Sequence, residues 1–193
     1  MVINWLPVQL ALDTSLSLWR SFGWNVPAQV AITGWFGRSV NQFMSKLITT
    51  QISIHATPGR VWQVLTAFDT YPAWNPLIRQ LSGQVRVGET LSVVLQPPGG
   101  RPTTVRPTVV SFVPNTAFTW SGHLLTPALF RGLHSFELTA NDDGTTTLTH
   151  SELWSGLLVP LLARILAKNT TLGFEQMNEK VKQLAEQPPL YPE

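Results

Sequence analysis

The sequence predicts one α+β domain, a curved antiparallel sheet wrapped round a long C-terminal helix, preceded by a helical extension. Three observations carry this. A two-residue alternation of apolar and polar side chains begins at Leu47; a succession of strand-like runs separated by turn residues follows; and from about Val159 to Glu186 the apolar residues recur at a spacing near 3.6. The expected organisation is an extension over 1–46, the domain over 47–187 and a tail over 188–193, since a chain of 193 residues suits a single core.

Composition narrows the function classes. Charged residues make up 12% of the chain, well below the usual ~25%, so its surface is poor in charge. Lys plus Arg number 13 and Asp plus Glu 11, scattered without a basic stripe, which argues against nucleic acid as a partner. With Cys 0 there is no disulfide framework, thiol nucleophile or thiolate metal site. No window approaches the ~20 apolar residues of a spanning helix, and the first charge is the acidic Asp13. The expectation is a cytoplasmic protein, with membrane association left open.

That opening comes from the extension. It holds Trp5, Trp19, Trp24 and Trp35, and from Ala28 to Leu47 the residues Ile32, Trp35, Phe36, Val40, Phe43 and Leu47 fall at helical steps after Pro27. Such a helix packs on the domain or on a second copy of it as a homodimer, covers a cavity mouth, or lies in a membrane interface through residues 28–47.

In the domain, Ile48, Ile52 and Ile54 alternate with Thr49, Gln51, Ser53 and His55 as a half-buried strand. Thr57 is placed to cap a helix with Pro58 in its first turn and Val61, Trp62, Leu65 and Phe68 on its inner stripe; YPAWNP breaks it. Strands are expected over 78–85, 89–96, 103–113, 117–124, 133–140 and 145–153. In the final helix Leu162, Ile165, Leu166, Leu172, Met177, Val181 and Leu184 form the stripe that should face the sheet.

The last hairpin is the most informative part. Asp142-Asp143-Gly144 suits a three-residue loop, which sets Leu138 against Leu148, Phe136 against His150 and His134 against Glu152. These residues, with Trp154 beyond, then share an inner face, while Ser135, Glu137, Thr139, Thr145, Thr147, Thr149 and Ser151 face water. A carboxylate buried alone is costly, so Glu152 must pair with His134, meet water or hold its proton. Pairing Val113 with Ala117 adds Val110, Phe112, Phe118 and Trp120 to the same face, with Arg106 further along; His55 and His123 fall on outer faces. A face of large rings interrupted by a few polar groups is the usual make-up of a small-molecule pocket. Trp74 at its corner and Ile165 and Met177 on the helix complete the expected lining. The alternative is a filled core holding one satisfied His–Glu pair.

The element order and the runs TPGRVWQVLTAFDTYPAWNPLI, TWSG, FRGLHSF, HSELWSGLLVP and GFEQMNEKVK resemble the START-like (SRPBCC) superfamily, in its bacterial polyketide cyclase/dehydrase-like branch, over about Ile48 to Gln187. The resemblance implies a helix-grip fold and a cavity between sheet and helix for lipids, polyketides, sterols, quinones or hormones. It transfers no catalytic residue.

Binding or carriage of a hydrophobic small molecule is therefore the expected function. The alternatives are a cyclase or dehydratase using His134 and Glu152 as acid and base, and a membrane-surface or protein-interaction module acting through the extension. No cofactor is expected. A zinc site from His134, His150 and Glu152 would lack a flanking carboxylate to orient the imidazoles, so no metal is expected either. GxSxG is absent, and QPPGGRP is a turn without a following helix, so it is no phosphate cradle.

Overall fold

A computed structural model describes residues 44–188, and the expected extension therefore lies outside the described residues save for its last few positions. Those belong to strand β1 (Ser45–Ile54) and not to a helix: Leu47 stands opposite Leu153 in a regular ladder. Next come α1 (Pro58–Thr66), a single 3₁₀ turn (Phe68–Thr70) and α2 (Tyr71–Trp74). The strands β2 (Ile78–Ser82), β3 (Ser92–Leu95), β4 (Thr103–Val105), β5 (Thr108–Val113), β6 (Ala117–Leu124), β7 (Phe130–Ala140) and β8 (Thr146–Ser155) lead to α3 (Val159–Ala185).

The strands form two antiparallel sheets, one in the order β1-β8-β7-β6-β5 and one in the order β2-β3-β4. The expected strand over 103–113 is in fact two. Pro107 cannot donate to a ladder; instead its carbonyl accepts the N–H of Leu91 (2.8 Å), and the chain steps from one sheet to the other. Val109 N–H to Glu89 O (2.9 Å) and Gly88 N–H to Val109 O (2.9 Å) tie the sheets together across this step. The run expected over 89–96 shortens to β3 because Glu89 and Leu91 bond Val109 and Pro107, and the run expected over 78–85 ends with β2 at Ser82, before Gly83 at φ 119°.

Local chemistry sets the shorter elements. The Thr57 hydroxyl accepts the N–H of Arg60 (3.3 Å) and caps α1 as expected, with Val61, Trp62, Val64 and Leu65 buried. YPAWNP does not simply end the helix. Pro72 fits the first turn of α2, and the buried Asn75 then accepts the N–H groups of Leu77 (3.0 Å) and Ile78 (2.8 Å), which aims the chain into β2.

The β7–β8 hairpin has the expected register throughout: Leu138 opposite Leu148, Phe136 opposite His150, His134 opposite Glu152. Its loop closes with Gly144 at φ 81°, a left-handed conformation that glycine adopts without steric cost. Asn141 N–H bonds Thr145 O (2.9 Å), and Asp143 Oδ1 accepts from both the N–H (3.0 Å) and the hydroxyl (2.7 Å) of Thr145. The outward row is drier than alternation alone implied. Ser135 and Thr145 are buried, because each hydroxyl bonds a neighbour on the same face: Ser135 with Thr119 (3.0 Å), Thr145 with Ser53 (3.2 Å).

Two further expectations are corrected. Val113 does oppose Ala117 and Phe112 opposes Phe118, but a bulge between Val109 and Ser111 turns Val109 inward and leaves Val110 exposed. On α3 the buried positions are Val159 and then Gly173, Phe174, Met177, Asn178, Val181 and Ala185. Leu166 and Leu172 are exposed and Ile165 is 66% exposed, so the expected stripe holds only in the C-terminal half. In the first half the side turned to the core is carried by the small residues Ala163 and Ala167.

Candidate functional site

Strand alternation brings Phe118 and Trp120 from β6, His134 and Phe136 from β7, and His150 and Trp154 from β8 onto one buried face. The C-terminal half of α3 closes over it. Trp120 lies flat on His134 (4.5 Å between ring centres, planes 6° apart), and Phe174 lies nearly flat on His150 (3.7 Å, 14°). Phe136 touches both imidazoles. Around His150 the interior is therefore filled by rings in mutual contact.

Through these rings runs a chain of polar atoms. Asn178 Nδ2 donates to Thr50 Oγ1 (2.9 Å), Asn178 Oδ1 meets His150 Nδ1 (3.0 Å), and His150 Nε2 meets His134 Nε2 (2.9 Å). His134 Nδ1 then faces Glu152 Oε2 at 3.9 Å, too far for a hydrogen bond. Burial, and then the neighbouring His134, hold the His150 imidazole well below the usual histidine range, so it is neutral at physiological pH.

Glu152 differs from the rest. Its side chain keeps 22% of its surface exposed, against 7% for His134. It lies over Gly132, where a β-carbon would stand 2.6 Å from Glu152 Oε1. Gly132 in turn pairs with Gly122 on β6, so two neighbouring strands present no side chain beside the carboxylate. Glu152 thus stands at the more exposed end of the polar chain, beside His134 and with Trp154 also against Gly132.

Of the expected lining, Phe112, Phe118, Trp120, His134, Phe136, His150 and Met177 come together in one aromatic and polar cluster. Phe112 packs on Trp62 and Phe118, and Met177 Sδ accepts from Asn75 Nδ2 (3.5 Å). Glu152 and Trp154 stand at its edge, Trp154 against Phe130. Three residues lie elsewhere. Trp74 stays at the α2 corner, its indole N–H donated to Thr70 Oγ1 (2.9 Å) and its ring against Tyr71. Arg106 is exposed, because the adjacent Pro107 takes the buried position. Ile165 is exposed because Ala163 and Ala167 carry the core side of that half of α3. Two depressions, of about 410 Å³ beside Pro76 and Glu179 and about 420 Å³ between His55 and Gln187, lie on other parts of the surface. Among the described residues no three His, Asp or Glu side chains converge as a metal site.

Sequence reading missed Thr50, Asn178 and Phe174. Thr50 sits in the phase of Ile48 and Ile52, and Asn178 interrupts the stripe of Met177 and Val181. A polar residue in an apolar phase is the signal for both. Phe174 lies in the phase of Met177 and Val181, whereas Leu172 follows the phase of Ile165 and faces out with it.

A sheet that grips its C-terminal helix over an inner face of rings and imidazoles defines a START-like helix-grip domain. The chain belongs to the polyketide cyclase/dehydrase and lipid transport family, whose description matches residues 45–186, from the start of β1 to the end of α3. No curated protein matches it. Among solved structures it is similar to the di-domain aromatase/cyclase StfQ of the steffimycin biosynthetic pathway (TM-score 0.62, 15% identity, covering 77% of this chain and 53% of that one). It is similar also to the Zhui aromatase/cyclase of Streptomyces sp. R1128 (0.60, 15%, 74% and 94%) and to a START superfamily protein of Mycobacterium smegmatis (0.58, 15%, 73% and 97%). The chain spans about half the length of StfQ. At these identities the likeness is one of fold. No described helix is long and apolar enough to cross a membrane.

Proposed function

We propose that the protein binds a hydrophobic small molecule at the Glu152 end of the gripped face, with rings against its apolar body and His134 and Glu152 at its oxygenated end. One observation carries this reading: a partly exposed carboxylate stands beside an imidazole nitrogen that makes no hydrogen bond among the described residues, over a pair of facing glycines among aromatic rings. The family's association with polyketides and lipids supports it. Trp120 and Trp154 border the place, so a titration of intrinsic tryptophan fluorescence against polyaromatic and lipid ligands reports it. Saturable quenching at one ligand per chain is the expected result; no saturable quenching across the panel rejects the reading.

The same juxtaposition favours a second reading, in which His134 accepts a proton from a bound substrate and Glu152 steadies the cation or returns the proton. Positioned acid–base groups contribute typically ~10²–10⁴-fold. His134→Ala and Glu152→Gln would then each remove turnover of a polyketide-like substrate while binding persists, and full activity in both variants rejects catalysis. Cytoplasmic placement and membrane contact through residues 28–47 rest on sequence alone. Liposome flotation with and without residues 1–43 tests the contact.

A further inference from the structure

The buried polar chain has a direction. A neutral imidazole carries one N–H, and two Nε2 atoms 2.9 Å apart share one proton between them. Asn178 donates through Nδ2 to Thr50 Oγ1, whose own hydroxyl faces His150 O (3.4 Å), so the oxygen of Asn178 is the atom turned to His150. An amide oxygen only accepts, so His150 carries its proton on Nδ1 and offers a lone pair at Nε2. His134 must then donate from Nε2, which in the neutral ring leaves Nδ1 unprotonated, facing Glu152 Oε2 at 3.9 Å. Turning the Asn178 amide over would reverse every step and make His134 Nδ1 a donor.

We propose that Asn178 is a positioning residue that sets this polarity, and that the site consequently takes the polar end of its ligand as a neutral hydroxyl donor, such as a phenol or enol, and rejects carboxylate and phosphate ends. The inference rests on the binding reading above. Two acceptors, His134 Nδ1 and the Glu152 carboxylate, converge on the place. Among the described cations near these strands, Arg106 is exposed between β4 and β5, Arg131 is held on the outer face by Ser121 Oγ (2.9 Å), and Lys46, opposite Trp154 on β1, is exposed to solvent. Asn178 is 2% exposed and His150 0%, so water cannot rearrange the chain cheaply.

The tautomers are read directly by imidazole nitrogen NMR on the ligand-free protein. The expected pattern is a protonated Nδ1 in His150 and a protonated Nε2 in His134. Asn178→Asp, which when ionised only accepts, keeps that pattern, and Asn178→Leu gives mixed tautomers of both rings. A protonated Nδ1 on His134 in the wild type or in Asn178→Asp overturns the inference, even if Asn178→Leu fails to fold. In the second arm 2-naphthol and 2-naphthoate compete for tryptophan quenching at neutral pH. Naphthol should bind at least about tenfold more tightly, a difference of about 1.4 kcal/mol. Naphthoate binding equally well overturns the ligand half. Failure of both probes to quench overturns the binding reading and that half with it, while the tautomer pattern still decides the role of Asn178.

Discussion

The placement of Glu152 shows how much one missing side chain can decide. The carboxylate reaches across β7 because Gly132 offers no β-carbon there; an added one would lie 2.6 Å from Oε1, well inside contact distance. The atom in the way is the far end of a flexible side chain and not backbone, so Gly132→Ala can be met by moving the carboxylate alone. Overpacking a rigid interior costs about 1–3 kcal/mol, and here the loss should fall at or below ~1 kcal/mol, read as a small shift in the urea midpoint. Binding of 2-naphthol should weaken several-fold in the same variant. Unchanged binding with a displaced carboxylate would show that Glu152 does not border the ligand.

At the scale of elements, α3 divides into a half that buries large side chains and a half that meets the core through Val159, Ala163 and Ala167, and the two should answer differently to mutation. Met177 is fully buried and Ile165 is 66% exposed. Met177→Ala should cost about 2–5 kcal/mol and Ile165→Ser no more than ~0.5 kcal/mol in urea unfolding. Comparable losses would mean that the first half of the helix is gripped as well. This division marks the limit of what the sequence disclosed. A period near 3.6 identifies a helix and its length, and Val159 was found as its start, but periodicity does not say which of two adjacent apolar stripes meets the sheet. That choice was made by Ala163 and Ala167 and by the bulk of Phe174, a matter of tertiary fit. The β7–β8 hairpin was legible to the residue because a three-residue loop fixes register through every later pair. The β5–β6 hairpin was legible only up to its bulge, and the split of β4 from β5 depended on Pro107 meeting Leu91 on another sheet. Likewise His134, His150 and Glu152 could be placed on one face from alternation, whereas Thr50 and Asn178 became partners only when α3 was laid across β1.

The whole molecule combines a neutral buried imidazole with two exposed carboxylates of lowered pKa, so its acid response should come in two stages. His150 is disfavoured as a cation in the folded protein by burial and by His134, whereas in the unfolded chain it protonates near pH ~6.5. Below that value the unfolded state binds the extra proton, and stability falls with pH by at most ~1.4 kcal/mol per unit for this one group. Above it His150 contributes no slope. Asp143 is held below the usual carboxylate range by its bonds to Thr145, and Glu186 by the N–H of His55 and by Lys182. Each stabilises the fold when ionised, and that contribution is lost only as pH falls below the ordinary carboxylate values toward their own. Thermal melts should therefore be flat from neutrality to about pH 9, decline below about pH 6.5, and steepen again below about pH 4.5. His150→Gln should remove the first decline and leave the second, while Asp143→Asn should keep the first and lessen the second, to which Glu186 still contributes. A wild-type melting temperature that holds level down to pH 4.5 would mean that His150 accepts a proton in the folded state, and that the aromatic interior round it admits charge.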